Sequence, residues 1–374
     1  MFMCGKRSNR TGRAGARAIL LLLCLSLCCC LACRSVPERV SSHAVPQGAG
    51  AVLSGGQALT NLLPPPGERT HTSAKAHILL EASSGAVLAQ KNADARLPMA
   101  STTKIMTALA ALDALPLDTT VRIPAAAVGV EGSSVYLAQD EVLTLKELLY
   151  ALLLESANDA AVAIAIAVDG SVDAFADRMN RYAAQLGLKD THFVNPHGLD
   201  DDAHYTTARE LALITRAALE NPDFREIVST QKTVIPLRGS EGVRLLLNHN
   251  RLLREYDGCI GVKTGFTKRT GRCLVSAAER DGVMLIAVTL GAPDDWNDHR
   301  SLLDYGFSRL EAVKLTADGA DATPMWIVSG TRAYTLVRCP DSLTVVLPSF
   351  HFTQDREHTA YLVDLSVRRG GNPA

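Results

Sequence analysis

One change of period constrains this chain more than any other feature. From Ile105 through a helix opening after Thr207, the apolar residues recur at helical spacing. Beyond residue 230, "KTVIPL", "VRLLLNHN", "GCIGVKTGF", "RCLVSAAER" and "VMLIAVTLG" read as successive strands. The last two flank Asp281-Gly282, a two-residue turn signal that makes the pair antiparallel. An earlier hairpin, "AHILLEASSGAVLAQ" (76–90), turns around Ser83-Ser84-Gly85. A block of helices inserted between strands predicts an α+β fold of two lobes, with a cleft between helices and sheet.

Within the helical block, Ile105, Met106, Leu109 and Leu112 form one buried face. Ser101 therefore sits near a helix N-terminus, where unpaired N–H groups favour developing negative charge. Thr144 and Glu147 form a capping box that opens an almost wholly apolar, hence central, helix over 145–154. "ESANDAA" interrupts it, placing Ser156 and Asn158 at a break before a small-residue helix over 160–168. A third helix runs over about 172–186 and stops at Gly187. Thr207-Ala208-Arg209-Glu210 reads as a second capping box, and a helix over about 298–310 closes the region. The last 60 or so residues, with "MWIVSG", "AYTLVRC", "LTVVLPSF" and "AYLVDLSV", read as a small β module.

The ends differ from the body. Lys6, Arg7, Arg10, Arg13 and Arg17 precede "AILLLLCLSLCCCLA" (18–32), a basic leader and apolar run that match an export signal. The run is short of the ~20 residues that a spanning helix prefers. "CLAC" ending at Cys33 resembles a bacterial lipoprotein cleavage site, which would attach the protein to the membrane through its N-terminus. Residues 34–73 are rich in Pro, Gly and Ser and read as a flexible linker. The expected divisions are a signal over 1–33, this linker, a catalytic domain over 74–313, and the β-rich module over 314–374. Six of the nine cysteines lie in the leader; Cys259, Cys273 and Cys339 are too few and scattered for a disulfide framework or zinc site. A net charge of −1 offers nothing to nucleic acid.

Three polar signatures stand in order where elements end: Ser101-Thr102-Thr103-Lys104, Ser156-Ala157-Asn158 and Lys263-Thr264-Gly265. On a helix, residues three apart lie about 5–6 Å apart, so Lys104 can reach Ser101. A second Ser-x-x-Lys, Ser229 to Lys232, shows that this spacing alone proves nothing. Ser229 is expected at the start of a strand, in a structural role.

With "LPMASTTKIMTALAALD", "ELLYALLLESANDAA", "FVNPHGLDDDAHYTTARELA" and "GVKTGFT", the chain resembles the penicillin-binding serine D-alanyl-D-alanine carboxypeptidases over about residues 74–313. The resemblance implies a penicillin-binding, β-lactamase-like transpeptidase fold: a helical lobe plus an antiparallel sheet with flanking helices. It implies a peptidoglycan stem peptide as substrate, β-lactams as covalent inhibitors, and no cofactor. Ser101 would be the nucleophile, Lys104 its base, and Ser156 a proton relay to the leaving amine. Asn158 would hold the substrate amide. Lys263 would lower the Lys104 pKa and, with Thr264 and Thr267, hold the terminal carboxylate. Gly265 would let substrate lie against the strand, and the N–H groups of Ser101 and Phe266 would form an oxyanion hole.

A β-lactamase would need a deacylating base, typically a glutamate between the second and third motifs; the loop over 195–207 has none. A D,D-endopeptidase would use the same machinery. A zinc peptidase would draw on His192, His197, Asp200 and His204, but no His-Glu-x-x-His occurs. A non-enzymatic wall-binding role would require a broken motif, and none is broken. Relatives commonly end in an amphipathic anchoring helix, whereas this chain ends "LVDLSVRRGGNPA". Thr270 stands where relatives often have alanine; no function is attached to it.

Overall fold

The computed structural model describes residues 70–237 and 242–314, together with strand segments at 53–54, 323–326, 334–337, 344–348 and 363–364. The export signal, Cys33, nearly all of the linker and Cys339 lie outside the described residues.

A five-stranded antiparallel sheet carries the fold. Its strands are β1 (Ala76–Glu81), β2 (Val87–Lys91), β7 (Cys259–Thr267), β8 (Gly271–Arg280) and β9 (Val283–Leu290), in the order β2-β1-β9-β8-β7. The β8–β9 hairpin turns at Asp281 (φ 48°) and Gly282 (φ 82°), the two left-handed residues of a tight hairpin turn. The sheet is buried on both faces, which is why its strands read as continuous apolar runs. Ile78, Leu80, Val275, Ala277, Ile286 and Val288 join the helical core. Their neighbours Leu79, Leu274, Leu285 and Ala287 pack with Leu302 and Leu303 of α8 (Asp295–Phe307).

The helical block comprises α1 (Lys104–Ala114), α2 (Leu145–Leu154), α3 (Asn158–Asp169), α4 (Val172–Gln185), α5 (Ala208–Leu219) and α6 (Pro222–Ser229). A single 3-10 turn, Ala100–Thr103, leads into α1. The Thr144–Glu147 box is complete: each side chain bonds the other residue's backbone N–H. Two short strands, β3 (Thr120–Arg122) and β4 (Val142–Thr144), pair ahead of α2, and β5 (Lys232–Pro236) pairs with β6 (Val243–Leu247) as a separate hairpin. A short turn of helix, α7 (Leu252–Glu255), precedes β7.

Two expectations are corrected. Thr207 caps α5, but Glu210 does not return the bond. Its carboxylate accepts N–H groups from Lys189 and Asp190 and the Thr191 hydroxyl, because it is turned toward that segment. Ser229 does not open a strand; it ends α6, and its hydroxyl donates to Glu226 O. That helix carried a start signal, Asn221 capping with Pro222 in the first turn.

Past α8, β10 (Leu310–Lys314) pairs with β13 (Thr344–Pro348), and β11 (Thr323–Trp326) with β12 (Tyr334–Val337), all antiparallel. Leu53–Ser54 bridges Val363–Asp364. Among the described residues no helix is long and apolar enough to cross a membrane.

Candidate active site

The edge strand β7, the turn before α1 and the break between α2 and α3 meet at one cleft. Ser101, Ser133, Ser156, His249, Thr264, Gly265 and Phe266 line it, with Arg272, Asp295 and Trp296 at one end.

Lys104 is fully buried beneath this cleft. Its Nζ lies 2.8 Å from Ser101 Oγ, 2.7 Å from Asn158 Oδ1 and 2.7 Å from the His197 carbonyl. Burial, and then the charge of Lys263, hold its pKa well below the ordinary lysine value, against a smaller pull from Asp159. A neutral amine has two protons and one lone pair. Asn158 Oδ1 and the His197 carbonyl can only accept, so they take both protons. The lone pair then faces the Ser101 hydroxyl, the geometry of a general base on a nucleophile. The Asn158 amide is oriented by its other end, where Nδ2 donates to Glu131 O at 2.6 Å.

Ser156, buried at the α2–α3 break, adopts a left-handed conformation (φ 62°) and lines the cleft. Lys263 is 1% exposed, donates to the Thr264 carbonyl at 2.9 Å, and is pushed down by burial to a pKa of about 7, partly offset by Glu155. A Cβ at Gly265 would lie 3.1 Å from the backbone nitrogens of Ser101 and Thr102, so the glycine lets β7 approach the turn that carries Ser101. Phe266 is 64% exposed at the mouth. Thr267 donates to Asp200 at 2.9 Å, and Thr270 donates to the same carboxylate oxygen at 3.2 Å. Both threonines thus tie the β7–β8 turn to the loop over 195–207.

That loop holds the parts the sequence reading missed. His197 contributes its carbonyl, not its ring, and Thr107 of α1 bonds the neighbouring Pro196 carbonyl at 2.6 Å. Asn195 Oδ1 accepts the N–H groups of His197 and Gly198. Gly198 (φ +89°) lies so close to the Ser101 turn that a Cβ would stand 1.9 Å from Ala100 O. A main-chain ligand leaves no residue-type signature; only "NPHG" marked a turn here. The histidines of the zinc alternative are spent locally. His204 Nδ1 accepts the Val194 N–H, so Nε2 carries the proton and donates to Thr103 Oγ1 at 2.8 Å. His192 Nδ1 faces the Ala203 carbonyl. Burial lowers His204 to a pKa of about 4 and, with Lys104 beside it, His197 to about 3. Among the described residues no cluster of three or more His, Cys, Asp or Glu is placed to hold a metal.

On the far wall, Asp159 accepts the Ser134 hydroxyl and the Leu137 N–H, while Ser133 O accepts the Asn158 N–H. This loop was not singled out from sequence. Its Gly132 would, with a Cβ, meet Asn158 Nδ2 at 2.7 Å.

An antiparallel sheet with a helical lobe, and a serine held to a buried lysine where they meet, define the serine-nucleophile class of the penicillin-binding proteins. The chain belongs to the D-alanyl-D-alanine carboxypeptidase family, peptidase family S11, whose model matches residues 64–294. It is 32% identical over 281 residues to D-alanyl-D-alanine carboxypeptidase DacF of Bacillus subtilis, covering 73% of this chain and 72% of that one. It is 36% identical over 243 residues to DacB2 of Mycobacterium tuberculosis, covering 63% and 82%. The crystal structure of the DD-transpeptidase of Streptomyces strain K15 superposes with a TM-score of 0.61 at 34% identity, covering 64% of this chain and 99% of that one.

Proposed function

We propose that the protein removes the terminal D-alanine from peptidoglycan stem pentapeptides through an acyl-enzyme on Ser101, in an exported, wall-facing setting. The carrying observation is the Lys104 amine, whose two protons are taken by Asn158 and His197 and whose lone pair faces Ser101. Lys104 takes the hydroxyl proton as Ser101 attacks the penultimate carbonyl. The Ser101 and Phe266 N–H groups receive the developing oxyanion. Ser156 passes the proton to the leaving amine, and water then cleaves the ester. Lys263 disfavours protonated Lys104 and, with Thr264, favours an anionic substrate end. The carboxylate of the 195–207 loop nearest β7, Asp200, accepts two threonine hydroxyls, which supports a carboxypeptidase over a β-lactamase.

The test is release of D-alanine from diacetyl-lysyl-D-Ala-D-Ala, with labelling by a fluorescent penicillin. Ser101→Ala should abolish both and Ser229→Ala neither; a chelator should change nothing. Labelling that survives in Ser101→Ala, or activity lost to the chelator and restored by zinc, overturns the reading.

A further inference from the structure

Beyond Gly265 the edge strand β7 runs on through Phe266 and Thr267 into the turn before β8. Side chains alternate along a strand, so Thr267 shares with Gly265 the face turned to Ser101. Its hydroxyl donates to Asp200 Oδ1 at 2.9 Å. The hydroxyl of buried Thr270 donates to the same oxygen at 3.2 Å, and the Thr270 N–H donates to Thr267 Oγ1 at 3.0 Å. Two hydroxyls therefore fix the Asp200 carboxylate through one oxygen. Asp200 is exposed, and among the described residues its Oδ2 accepts no hydrogen bond. The two acids that follow are engaged elsewhere. Asp201 Oδ1 accepts the Ala203 N–H at 2.7 Å, and Asp202 pairs with Arg269 at 2.6 Å.

The direction of the chain says what meets that free oxygen. A peptide added antiparallel to β7, with its C-terminal carboxylate beside Lys263 and Thr264, runs back toward Phe266 and Thr267. At about 3.4 Å per residue, the residue before the two terminal D-alanines comes level with Thr267 and Asp200. A side-chain ammonium there brings a full charge and three donors to a carboxylate oxygen that has none. We propose that Asp200, aimed by Thr267 and Thr270, receives the side-chain ammonium of the residue preceding D-Ala-D-Ala, so that the enzyme prefers stem peptides whose diamino residue keeps its amine free. This rests on the carboxypeptidase reading above. Thr267 is then an orienting residue rather than a ligand of the terminal carboxylate, because its one hydroxyl proton goes to Asp200.

Two peptides decide it: Nα-acetyl-lysyl-D-Ala-D-Ala, which has a free ε-ammonium, and diacetyl-lysyl-D-Ala-D-Ala, which does not. The wild type should favour the first roughly three- to fivefold in kcat/KM, the reach of one exposed charge pair. Added salt should shrink that preference. In Asp200→Asn, whose amide oxygen can still accept both threonine hydroxyls, the preference should vanish. Thr270→Ala should keep part of it, and Asp202→Asn all of it. The ratio between the peptides is the readout, because the same loop supplies the His197 carbonyl that holds Lys104. A merely structural role for Asp200 would slow both peptides alike and leave the ratio as it was. A ratio unchanged in Asp200→Asn, a ratio lost as fully in Asp202→Asn, or a wild type indifferent to the amine overturns the proposal. A wild type that hydrolyses neither peptide overturns the carboxypeptidase reading itself, and the proposal falls with it.

Discussion

Lys104 has three oxygen neighbours, and only a neutral amine uses them as a base must. Lys104→Arg keeps a cation that cannot lose its proton at accessible pH. Acylation by penicillin should drop by roughly 10²–10⁴, the usual contribution of a positioned base, with cooperative thermal unfolding retained. An Arg variant that acylates like wild type would place the base elsewhere. The pH profile carries a sign. Burial is the first cause of the low Lys104 pKa and the charge of Lys263 the second. Lys263→Gln removes only the second, so Lys104 should hold its proton to higher pH. The acidic limb of kcat/KM should therefore shift upward, yet stay below an ordinary lysine. An unmoved or downward-shifted limb would count against coupling between the two lysines. The pairing of Ser101 with Lys104 was legible from their spacing. The carbonyl of His197 was not, because every residue has one.

At the scale of elements, two glycines set how closely backbone segments approach the Ser101 turn. Gly265→Ala would put a Cβ 3.1 Å from two backbone nitrogens, which need give only a few tenths of an ångström. Its kcat/KM should fall about a hundredfold through misplacement of Ser101, with little change in Tm. Gly198→Ala combines a left-handed φ with a 1.9 Å approach to Ala100 O. It should cost about 3 kcal/mol of stability in denaturant unfolding as well as activity. Equal effects of the two variants on Tm would contradict this division. The capping box of α2 was legible because both partners are local. The similar-looking pair at α5 misled because Glu210 had a tertiary alternative in the 189–191 segment.

At the scale of the whole molecule, the β5–β6 hairpin braces the cleft from outside the main sheet. Arg244 of β6 donates to Glu141 at 2.5 and 2.8 Å and to the carbonyls of Val135 and Tyr136 on the loop beside Asn158. The Glu141 side chain is 1% exposed. Arg244→Met should cost roughly 3–5 kcal/mol, because it strips a buried carboxylate of its guanidinium. Adding Glu141→Gln should recover part of that in a double-mutant cycle; an additive cycle would show that the pair is not coupled. Nothing in "GVRLLLNHN" marks Arg244 for this task, since its partner lies about a hundred residues earlier. Local pattern determined most of the helices, the Asp281-Gly282 hairpin, the α+β class and the three motifs, since spacing, caps and turns act over a few residues. Tertiary structure alone decided that Gly265 lies against the Ser101 turn, that Thr267 faces Asp200, and that the His197 carbonyl holds the Lys104 amine. Those contacts join residues remote along the chain, and their energies depend on burial and approach, which exist only once the sheet and helices have packed.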